Sequence, residues 1–386
     1  MNINVAPKGT VPVTVVDVDV HAAPTSTDEL RSYLPPEWRS RPFPDAVFDA
    51  AEAPLYVAPN KAQRYDSHSP RGGAPGSDPE FTERQLFGDA GVHYAVLIPL
   101  TVRPLPNPDH ESAVCSATNS WLADTWLNKY NKHERYRGTL RVCSTDPVQA
   151  VREIEKWGGH PYFVSVMMNP YSRSPLGQSQ YHPIYEAAAK HNLPLCLHVN
   201  RAPGMAMLTP VGFPSYFLEH HALFPVSYAT HLLSMMTNGV FDKIPNLKVA
   251  FLEGGMSWFV PLMWRFERLW KEYRSEVHEM KRHPREYLHE QIRFGTQPLD
   301  EPTRLPDLKK ILQWMDASRT MMFSTDYPHW DFDDPKWAMS HFPKEMRTNV
   351  LSKNALAFYN LPAYRKDEGL SASRDMRTVT GELENV

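Results

Sequence analysis

The chain has 386 residues, with 41 Lys and Arg side chains against 44 Asp and Glu, and its formal net charge is −3. This near-neutral balance contains no basic block, which argues against nucleic acid or an anionic membrane as the main partner. Hydrophobic residues make up 42% of the chain, enough to bury a large core. No apolar run approaches the roughly 18 residues of a membrane span. We therefore expect a globular protein that acts on a small molecule.

The cysteines and the first residues indicate the compartment. Cys115, Cys143 and Cys196 are far apart and form no CxxC pair, so the sequence predicts neither a disulfide framework nor a cysteine zinc site. The amino-terminal segment lacks the charged and apolar regions of a signal peptide. Both observations favour a cytoplasmic location.

Short apolar or β-branched segments recur along the chain, and helical patterns separate most of them. The predicted strands cover residues 13–18, 94–99, 138–143, 163–168, 193–197, 247–252, 291–294 and 321–324. The predicted helices cover residues 111–130, 147–157, 185–191, 228–241 and 258–277. Strands that are apolar throughout are typical of a parallel sheet buried on both faces. We predict an α/β fold, a single (β/α)8 TIM barrel; an open doubly wound sheet is the alternative, disfavoured because no GxGxxG follows the first strand.

The segment after the first strand is too long for one helix. Residues 24–90 are dense in Pro, Gly and Ser before a short helix at residues 79–87. Such an insertion forms either a wall of the active site or a loose surface loop, and the sequence does not separate the two. We assign residues 1–365 to the barrel and residues 366–386 to a polar tail.

Polar residues at the ends of three predicted strands form a candidate metal site. Asp17, Asp19 and His21 alternate along the first strand, so we expect all three side chains to point into the barrel. His198 follows the fifth strand and Asp326 the eighth. Each residue alone is a weak signal, but active sites of parallel barrels lie at this edge. Asp19, His21, His198 and Asp326 together suit one divalent ion, Zn²⁺, Mn²⁺ or Fe²⁺.

Several stretches resemble the amidohydrolase superfamily, in the branch often called amidohydrolase-2. They are VDVDVHAAP, GSDPEFTERQLFGDAGVHYAVLIP, LPLCLHVN, GVFDKIPNLKVAFLEGG, FGTQPLDEP and FSTDYPHWD. This branch holds metal-dependent hydrolases and non-oxidative decarboxylases related to aminocarboxymuconate-semialdehyde decarboxylase. By resemblance, Asp19 and His21 match its HxH pair, His198 its strand-five histidine and Asp326 its strand-eight aspartate. The resemblance also implies a homodimer or homotetramer, with the aromatic-rich helix near residue 264 as the candidate interface.

The chain departs from this branch at two positions. Asp19 stands where many members carry a histidine, which makes the ligands harder and moves the expected metal from Zn²⁺, the first choice, towards Mn²⁺. Many decarboxylases of the branch carry a histidine just after strand six, where this chain has Glu253. Glu253 could organise the site or act as an acid or base. Its presence argues against transferring the decarboxylase mechanism directly.

Further polar and aromatic residues lie near the ends of the same strands. His329 is a candidate catalytic residue beside Asp326. The candidate substrate-binding residues are Arg201, His220, His221, His231, Phe294, Gln297 and Trp330. Each of them is also consistent with an ordinary surface or core role. Arg201 would contact a substrate carboxylate through both guanidinium nitrogens.

The expected reaction follows from the metal site. The leading hypothesis is a mononuclear metal-dependent hydrolase for a small aromatic or carbonyl-containing substrate, in which the metal activates a water and Asp326 is the general acid/base. The alternative is non-oxidative decarboxylation of an aromatic acid on the same metal, which needs no attacking water. A metal-binding scaffold without catalysis is the third hypothesis. No flavin, nucleotide or nucleic acid is expected.

Overall fold

Eight parallel strands form a barrel, as the sequence predicts. The computed structural model describes residues 13–41, 59–101, 104–200 and 214–364. The strands are β1 (Val16–Val20), β2 (Tyr94–Leu97), β3 (Tyr136–Arg141), β4 (Phe163–Met168), β5 (Leu195–His198), β6 (Val249–Leu252), β7 (Ile292–Gly295) and β8 (Met321–Met322). They pair in chain order from β1 to β8. The barrel closes where the Val18 N–H donates to the Phe323 carbonyl at 3.1 Å and where Val20 bridges Tyr327.

Helices separate successive strands and cover the outside of the barrel. They are α1 (Thr27–Ser32), α2 (Pro36–Arg39), α3 (Pro79–Glu83), α4 (Pro108–Trp121), α5 (Pro147–Trp157), α6 (His182–Lys190), α7 (Phe217–Ala222), α8 (Phe224–Thr237), α9 (Val240–Lys243), α10 (Phe259–Tyr273), α11 (Pro284–Gln291), α12 (Leu305–Trp314), α13 (Ala317–Thr320), α14 (Pro335–Ser340), α15 (Lys344–Thr348) and α16 (Asn354–Phe358). π-Helical turns extend α3 through Asp89 and α4 through Lys129. The longer helices bury apolar residues against the barrel, as α6 does with Ile184 and Tyr185.

Helix α5 shows how local sequence sets the element boundaries. Asp146 is its N-cap, and the carboxylate accepts the N–H of Gln149 at 3.1 Å. Pro147 takes the first helical position, where no N–H is required. Ala150 and Ile154, one turn apart, are buried against the barrel. This helix has the predicted bounds.

Alternation along the strands divides the core into a helix-facing layer and a barrel interior. In β5, Leu195 and Leu197 pack in the large cluster with the helices, whereas Cys196 belongs to a second apolar cluster with Val96 and Ala250. Side chains two residues apart share a face of a strand, so His198 lies on the same side as Cys196. The interior is therefore apolar along most of its length and becomes polar at the carboxyl ends of the strands.

A β-bulge interrupts β1. Asp17 is aligned with Ala95 and Val20 with Leu97, so β1 contains one residue more than β2 over this interval. An extra residue shifts which side chains face each side of the sheet. Consistent with this, Val18 packs in the interior cluster and Val20 in the cluster with the helices.

The described part of the insertion after β1 lies along the carboxyl edge of the barrel. The N–H of Arg64 donates to the carbonyl of Pro328 at 2.9 Å, and the N–H of Trp330 donates to that of Ala62 at 3.2 Å. These bonds fix the insertion beside the loop after β8, so this part is a wall of the candidate site. Residues 42–58 of the insertion lie outside the described part of the chain, as does the predicted tail 366–386.

Helix α10 carries the aromatic run that the sequence analysis proposed for an interface. Phe259 and Met263 are buried, whereas Trp264 is 47% exposed and makes an edge-on contact with Trp314, at a ring-centroid distance of 5.0 Å. Self-association through this face stays a prediction. In the residues that the structure describes, no helix combines the length and apolar character needed to cross a membrane.

Candidate metal and substrate site

Four side chains from β1, β5 and the loop after β8 meet at the carboxyl edge of the barrel. One ligand atom from each of Asp19, His21, His198 and Asp326 lies within 4.8 Å of the others, and all four residues are buried. The Nε2 of His21 is 2.7 Å from Asp326 Oδ1, and the Nε2 of His198 is 3.1 Å from Asp19 Oδ1. We call these residues the ligand cluster. Its members are the four that the sequence analysis assigned to a metal; their role as ligands stays a prediction.

Backbone carbonyls orient both imidazoles. The Nδ1 of His21 lies 2.9 Å from the carbonyl oxygen of Ile98, and the Nδ1 of His198 lies 2.5 Å from that of Val199. A carbonyl only accepts, so each Nδ1 donates and each neutral ring presents the lone pair of Nε2 to the cluster. Burial lowers the pKa of His21 to about 4, which favours this neutral, ligating form.

The backbone of Asp326 has an unusual conformation. Its φ is +61°, in the left-handed region that non-glycine residues rarely adopt. The N–H of Asp326 donates to the Asp19 carbonyl at 3.1 Å, and its carbonyl accepts the N–H of His329 at 2.8 Å. Strain of this kind persists where the surroundings enforce it, often at functional sites. Here it turns the carboxylate towards His21 and His329.

The ligand cluster has more acceptors than donors. Asp19 Oδ1 and Asp326 Oδ2 are buried and have no hydrogen-bond partner among the described residues. Burial, and then the charge of Glu253, raises the pKa of Asp326 well above its usual range. Lone pairs of imidazoles and carboxylates that converge without donors are stabilised by a cation. The donor set, with two nitrogens and two carboxylates, therefore fits one divalent metal ion.

Asp17 does not join this cluster, contrary to the expectation that all three polar residues of β1 point together into the barrel. Its Oδ2 accepts the hydroxyl of Thr325 at 2.6 Å, and its Oδ1 accepts the N–H groups of Thr325 and Asp19 at 3.0 and 3.2 Å. Burial raises the pKa of Asp17 to about 8. The bulge in β1 is the physical reason, because it breaks the strict alternation from which the prediction was made.

The two predicted catalytic residues, Glu253 and His329, adjoin the ligand cluster. Glu253 Oε2 is 3.2 Å from His198 Nε2, and its φ of +53° is also left-handed. The Nδ1 of His329 is 2.7 Å from Asp326 Oδ1. Glu253, Asp326 and His329 form a second group whose ligand atoms lie within 4.8 Å of one another. Their catalytic roles stay predictions.

A cavity opens beside the cluster. We call it the aromatic cavity. Its walls are Ala62, Leu100, Tyr171, Val199, Asn200, Phe217, His221, Phe224, Glu253, His329, Trp330 and Asp331. Two of the predicted substrate-binding residues, His221 and Trp330, line it. The Nε2 of His221 pairs with Asp331 Oδ2 at 3.3 Å. Aromatic walls with few polar groups are typical of small-molecule sites.

The structure places the other predicted substrate-binding residues elsewhere. His231 is buried in α8, where its Nε2 donates to the Pro170 carbonyl at 2.7 Å. Phe294 packs between β7 and α10 against Phe259, at a centroid distance of 4.8 Å. His220 contacts Phe224 edge-on, at 5.2 Å. None of the three lines the aromatic cavity.

Gln297 and Arg201 complete the predicted set. Gln297 is fully buried at the end of β7, and its side-chain amide donates to the Asp331 carbonyl at 3.3 Å. It supports the loop that carries Asp331 without lining the aromatic cavity. Arg201 lies outside the described residues.

Sequence reasoning missed the aromatic residues on the far side of the cavity. Tyr171 follows β4, and Phe217 and Phe224 begin two consecutive helices after β5. No motif marks them, because an aromatic residue near a strand end is equally typical of packing. Only the closure of the barrel brings these three segments together.

A larger cavity lies between α4 and α5. Asp109, Cys115, Cys143, Glu153 and Lys156 are among its walls. It contains no member of the ligand cluster, and both cysteines have raised pKa values because of burial. The candidate functional site is therefore the smaller, aromatic cavity, because it adjoins the ligand cluster. The size of a cavity does not by itself identify a reacting group.

Comparisons with known proteins agree with the fold and identify a family. The profile of the Amidohydrolase family matches residues 16–361. A gamma-resorcylate decarboxylase of Rhodococcus jostii is 25% identical over 240 residues, which are 59% of this chain and 70% of the relative. The structure of 5-carboxyvanillate decarboxylase from Novosphingobium aromaticivorans, with bound manganese, aligns over 91% of this chain and 98% of its own, at 20% identity and a TM-score of 0.66.

A dihydroxybenzoic acid decarboxylase of Polaromonas, solved with manganese and the inhibitor 2-nitroresorcinol, aligns at 20% identity and a TM-score of 0.61 over 90% of this chain and 97% of its own. The hydrolase prediction is therefore wrong, since these relatives are aromatic-acid decarboxylases. The hydrolase prediction failed because a metal ion held by these ligands can either activate a water or bind a substrate carboxylate. The set of ligands therefore does not distinguish the two reactions. The match over most of its length shows that this chain belongs to the amidohydrolase family.

Proposed function

We propose that this protein is a metal-dependent, non-oxidative decarboxylase of a hydroxylated aromatic acid. One observation carries the proposal: a buried cluster of two imidazoles and two carboxylates adjoins a cavity walled by Tyr171, Phe217, Phe224 and Trp330. An aromatic ring fits such walls, and its carboxylate would face the cluster. The decarboxylase activity of the relatives supports the same reaction.

Asp19, His21, His198 and Asp326 would hold the ion. A bound divalent cation would supply positive charge next to the substrate carboxylate and stabilise the electrons left on the ring as CO2 departs. The carbonyls of Ile98 and Val199 accept from Nδ1 of His21 and His198 and so keep Nε2 of both imidazoles free to bind the ion. The aromatic cavity excludes water and holds the ring in place.

Asp326 is the proposed proton donor. It transfers a proton to the ring carbon that bears the carboxylate, the carbon–carbon bond breaks, and its electron pair returns to the ring as CO2 leaves. Asp326 then regains a proton from solvent, so each turnover consumes one proton and releases one CO2. His329, 2.7 Å away, holds the carboxylate in position. Glu253 is proposed to take the place of the usual strand-six histidine next to His198.

Mn²⁺ is the proposed metal, in place of the Zn²⁺ expected first from the sequence. Two carboxylate ligands make the site harder than a site with three histidines, which suits Mn²⁺. The manganese bound in two similar decarboxylases supports this choice. Elemental analysis of the purified protein, followed by reconstitution with MnCl2 or ZnCl2, tests the identity of the ion.

The decisive assay incubates the manganese-loaded protein in D2O with a panel of hydroxybenzoic acids. We expect release of CO2 together with one deuterium at the carbon that lost the carboxylate. An Asp326→Asn variant is the negative control. Cleavage of esters or amides with no CO2 released from any acid would contradict the proposal.

A further inference from the structure

A second group of metal-binding side chains overlaps the ligand cluster at one residue. One ligand atom from each of Glu253, Asp326 and His329 lies within 4.8 Å of the others. All three side chains are buried, and Glu253 and His329 are 7% and 6% exposed. We call this group the second cluster. It combines two carboxylates with one imidazole, a set of donors that divalent transition-metal ions accept.

The two clusters together carry more negative charge than one divalent ion neutralises. Their carboxylates belong to Asp19, Glu253 and Asp326, which bear three negative charges when all are ionised. The ion of the ligand cluster neutralises two of these charges and leaves one in buried surroundings, where an unmatched charge is costly. The proton that Asp326 delivers in the proposed reaction offsets this charge. A second cation would offset it equally well.

Asp326 is the residue that the two clusters share. Its Oδ1 lies 2.7 Å from both His21 Nε2 and His329 Nδ1. Its Oδ2 is buried and has no hydrogen-bond partner among the described residues. An oxygen without a donor keeps its lone pairs for a cation. Asp326 is therefore suited to bridging two ions, as carboxylates do in two-metal sites.

The second cluster adjoins the aromatic cavity. Glu253 and His329 line this cavity, whereas His21 and His198 do not. An ion therefore reaches the second cluster from the cavity, which also has room for its water ligands. With three protein ligands instead of four, this ion should bind more weakly than the ion of the ligand cluster.

We infer that the second cluster binds a second divalent transition-metal ion and that this ion inhibits the protein. The inhibition rests on the proposed function, whereas the binding does not. A carboxylate that bridges two cations releases its proton to solvent, so Asp326 would have none to deliver to the ring carbon. The ion would also take up space at the wall of the aromatic cavity that adjoins the ligand cluster. Activity should therefore rise as the first ion binds and fall as the second one does.

The test of binding is equilibrium dialysis of the purified protein against increasing MnCl2, followed by elemental analysis. We expect the wild type to bind about two Mn²⁺ ions per chain, the second more weakly. Glu253→Gln and His329→Phe each remove one ligand of the second cluster. Each should weaken the second ion at least about tenfold and retain the first. Glu111→Gln, which changes a buried carboxyl outside both clusters, is the matched control and should bind both ions.

Two further measurements locate the second ion and test its effect. Ions that share a carboxylate lie about 3.5–4 Å apart, so the second Mn²⁺ should broaden the hyperfine lines in the EPR signal of the first. Release of CO2 is then followed over the same range of MnCl2. At free Mn²⁺ about tenfold above the second dissociation constant, the wild-type rate should fall about tenfold. The rate of Glu253→Gln, whatever its starting value, should show no such fall.

The outcomes separate this inference from the proposed function. Release of CO2 with one ion per chain at every concentration contradicts the inference and leaves the function standing. So does a second ion that both variants retain, or one that leaves the EPR signal unchanged, because it is then an adventitious ion only. Two coupled ions with rising activity would contradict the inhibition. Two coupled ions in a protein that decarboxylates no acid would overturn the proposed function and leave the second site standing.

Discussion

Two carboxyl groups of β1, separated by one residue, occupy regions of opposite character. Asp17 lies in a region where three donors from Thr325 and Asp19 satisfy its oxygens. Asp19 lies in the ligand cluster, where its Oδ1 faces imidazole nitrogens and has no hydrogen-bond partner among the described residues. Both side chains are fully buried. The comparison teaches that burial of a charged group does not by itself mark a metal site; in the ligand cluster, unmatched acceptors of two carboxylates converge with imidazole nitrogens.

A comparison of two cavities teaches the same lesson. The cavity between α4 and α5 is larger than the aromatic cavity. Its polar groups are ordinary surface and core residues, and Glu153 accepts the Asn119 amide at 3.0 Å. The aromatic cavity is smaller but borders Glu253 and His329 next to the ligand cluster.

The largest expected effect is that of Asp326→Asn. Asparagine keeps the shape of the side chain but cannot deliver the proton, so we expect kcat for CO2 release to fall about 10³-fold or more. Glu111→Gln is the matched control, because Glu111 is a buried carboxyl outside the cluster that accepts the Leu105 N–H at 2.8 Å. Near wild-type turnover in Asp326→Asn would remove Asp326 from the mechanism.

The next prediction compares metal binding after substitution of each of the two carboxyl groups of β1. Asp19→Asn removes one anionic ligand, and we expect the affinity for Mn²⁺ to fall at least about 100-fold. Asp17→Asn should retain one ion per chain, since Asp17 has its own donors. The measurement is metal content after dialysis against a weak chelator. Equal loss of metal from both variants would show that the distinction between the two regions is wrong.

A smaller effect tests the structural role of Asp17. Asp17→Ala leaves the buried Thr325 hydroxyl and N–H without their acceptor, which predicts a loss of about 2 kcal/mol in the free energy of unfolding. Urea unfolding of the metal-free proteins measures it, because binding of the ion would otherwise contribute. Wild-type stability in this variant would mean that water replaces the carboxyl at no cost.

The smallest effect concerns Asp333, a buried carboxyl after β8 outside the ligand cluster. Burial raises the pKa of Asp333 from 3.8 to about 7. Between those pH values the unfolded chain ionises while the folded protein keeps its proton, so stability falls as pH rises through this window. We expect Asp333→Asn to gain about 2 kcal/mol relative to wild type between pH 5 and pH 7.5.

Urea unfolding at the two pH values measures this change. Asp28→Asn is the control, because that carboxyl is 91% exposed. A pH dependence that is the same in all three proteins would exclude Asp333 as the cause.

The sequence predicted more of the site than of its surroundings. His198 and Asp326 were found because a polar residue directly after an apolar strand must lie at the carboxyl edge of a parallel barrel. The prediction that Asp17 points to the same side as Asp19 and His21 was wrong, because no residue type in β1 indicates the bulge. Phe294 in β7 and His231 in α8 were proposed for substrate binding but pack inside the fold, since position along a strand or helix does not reveal which layer a side chain enters.

By itself the sequence determined the barrel, the order of its strands and the four residues of the ligand cluster. Those features depend on local patterns, namely apolar runs, helix caps and the residue after each strand. Only the tertiary structure decided the tautomers of His21 and His198, the walls of the aromatic cavity and the position of Glu253 near His329. Each of these depends on contacts between segments far apart in the chain, and folding alone sets such contacts.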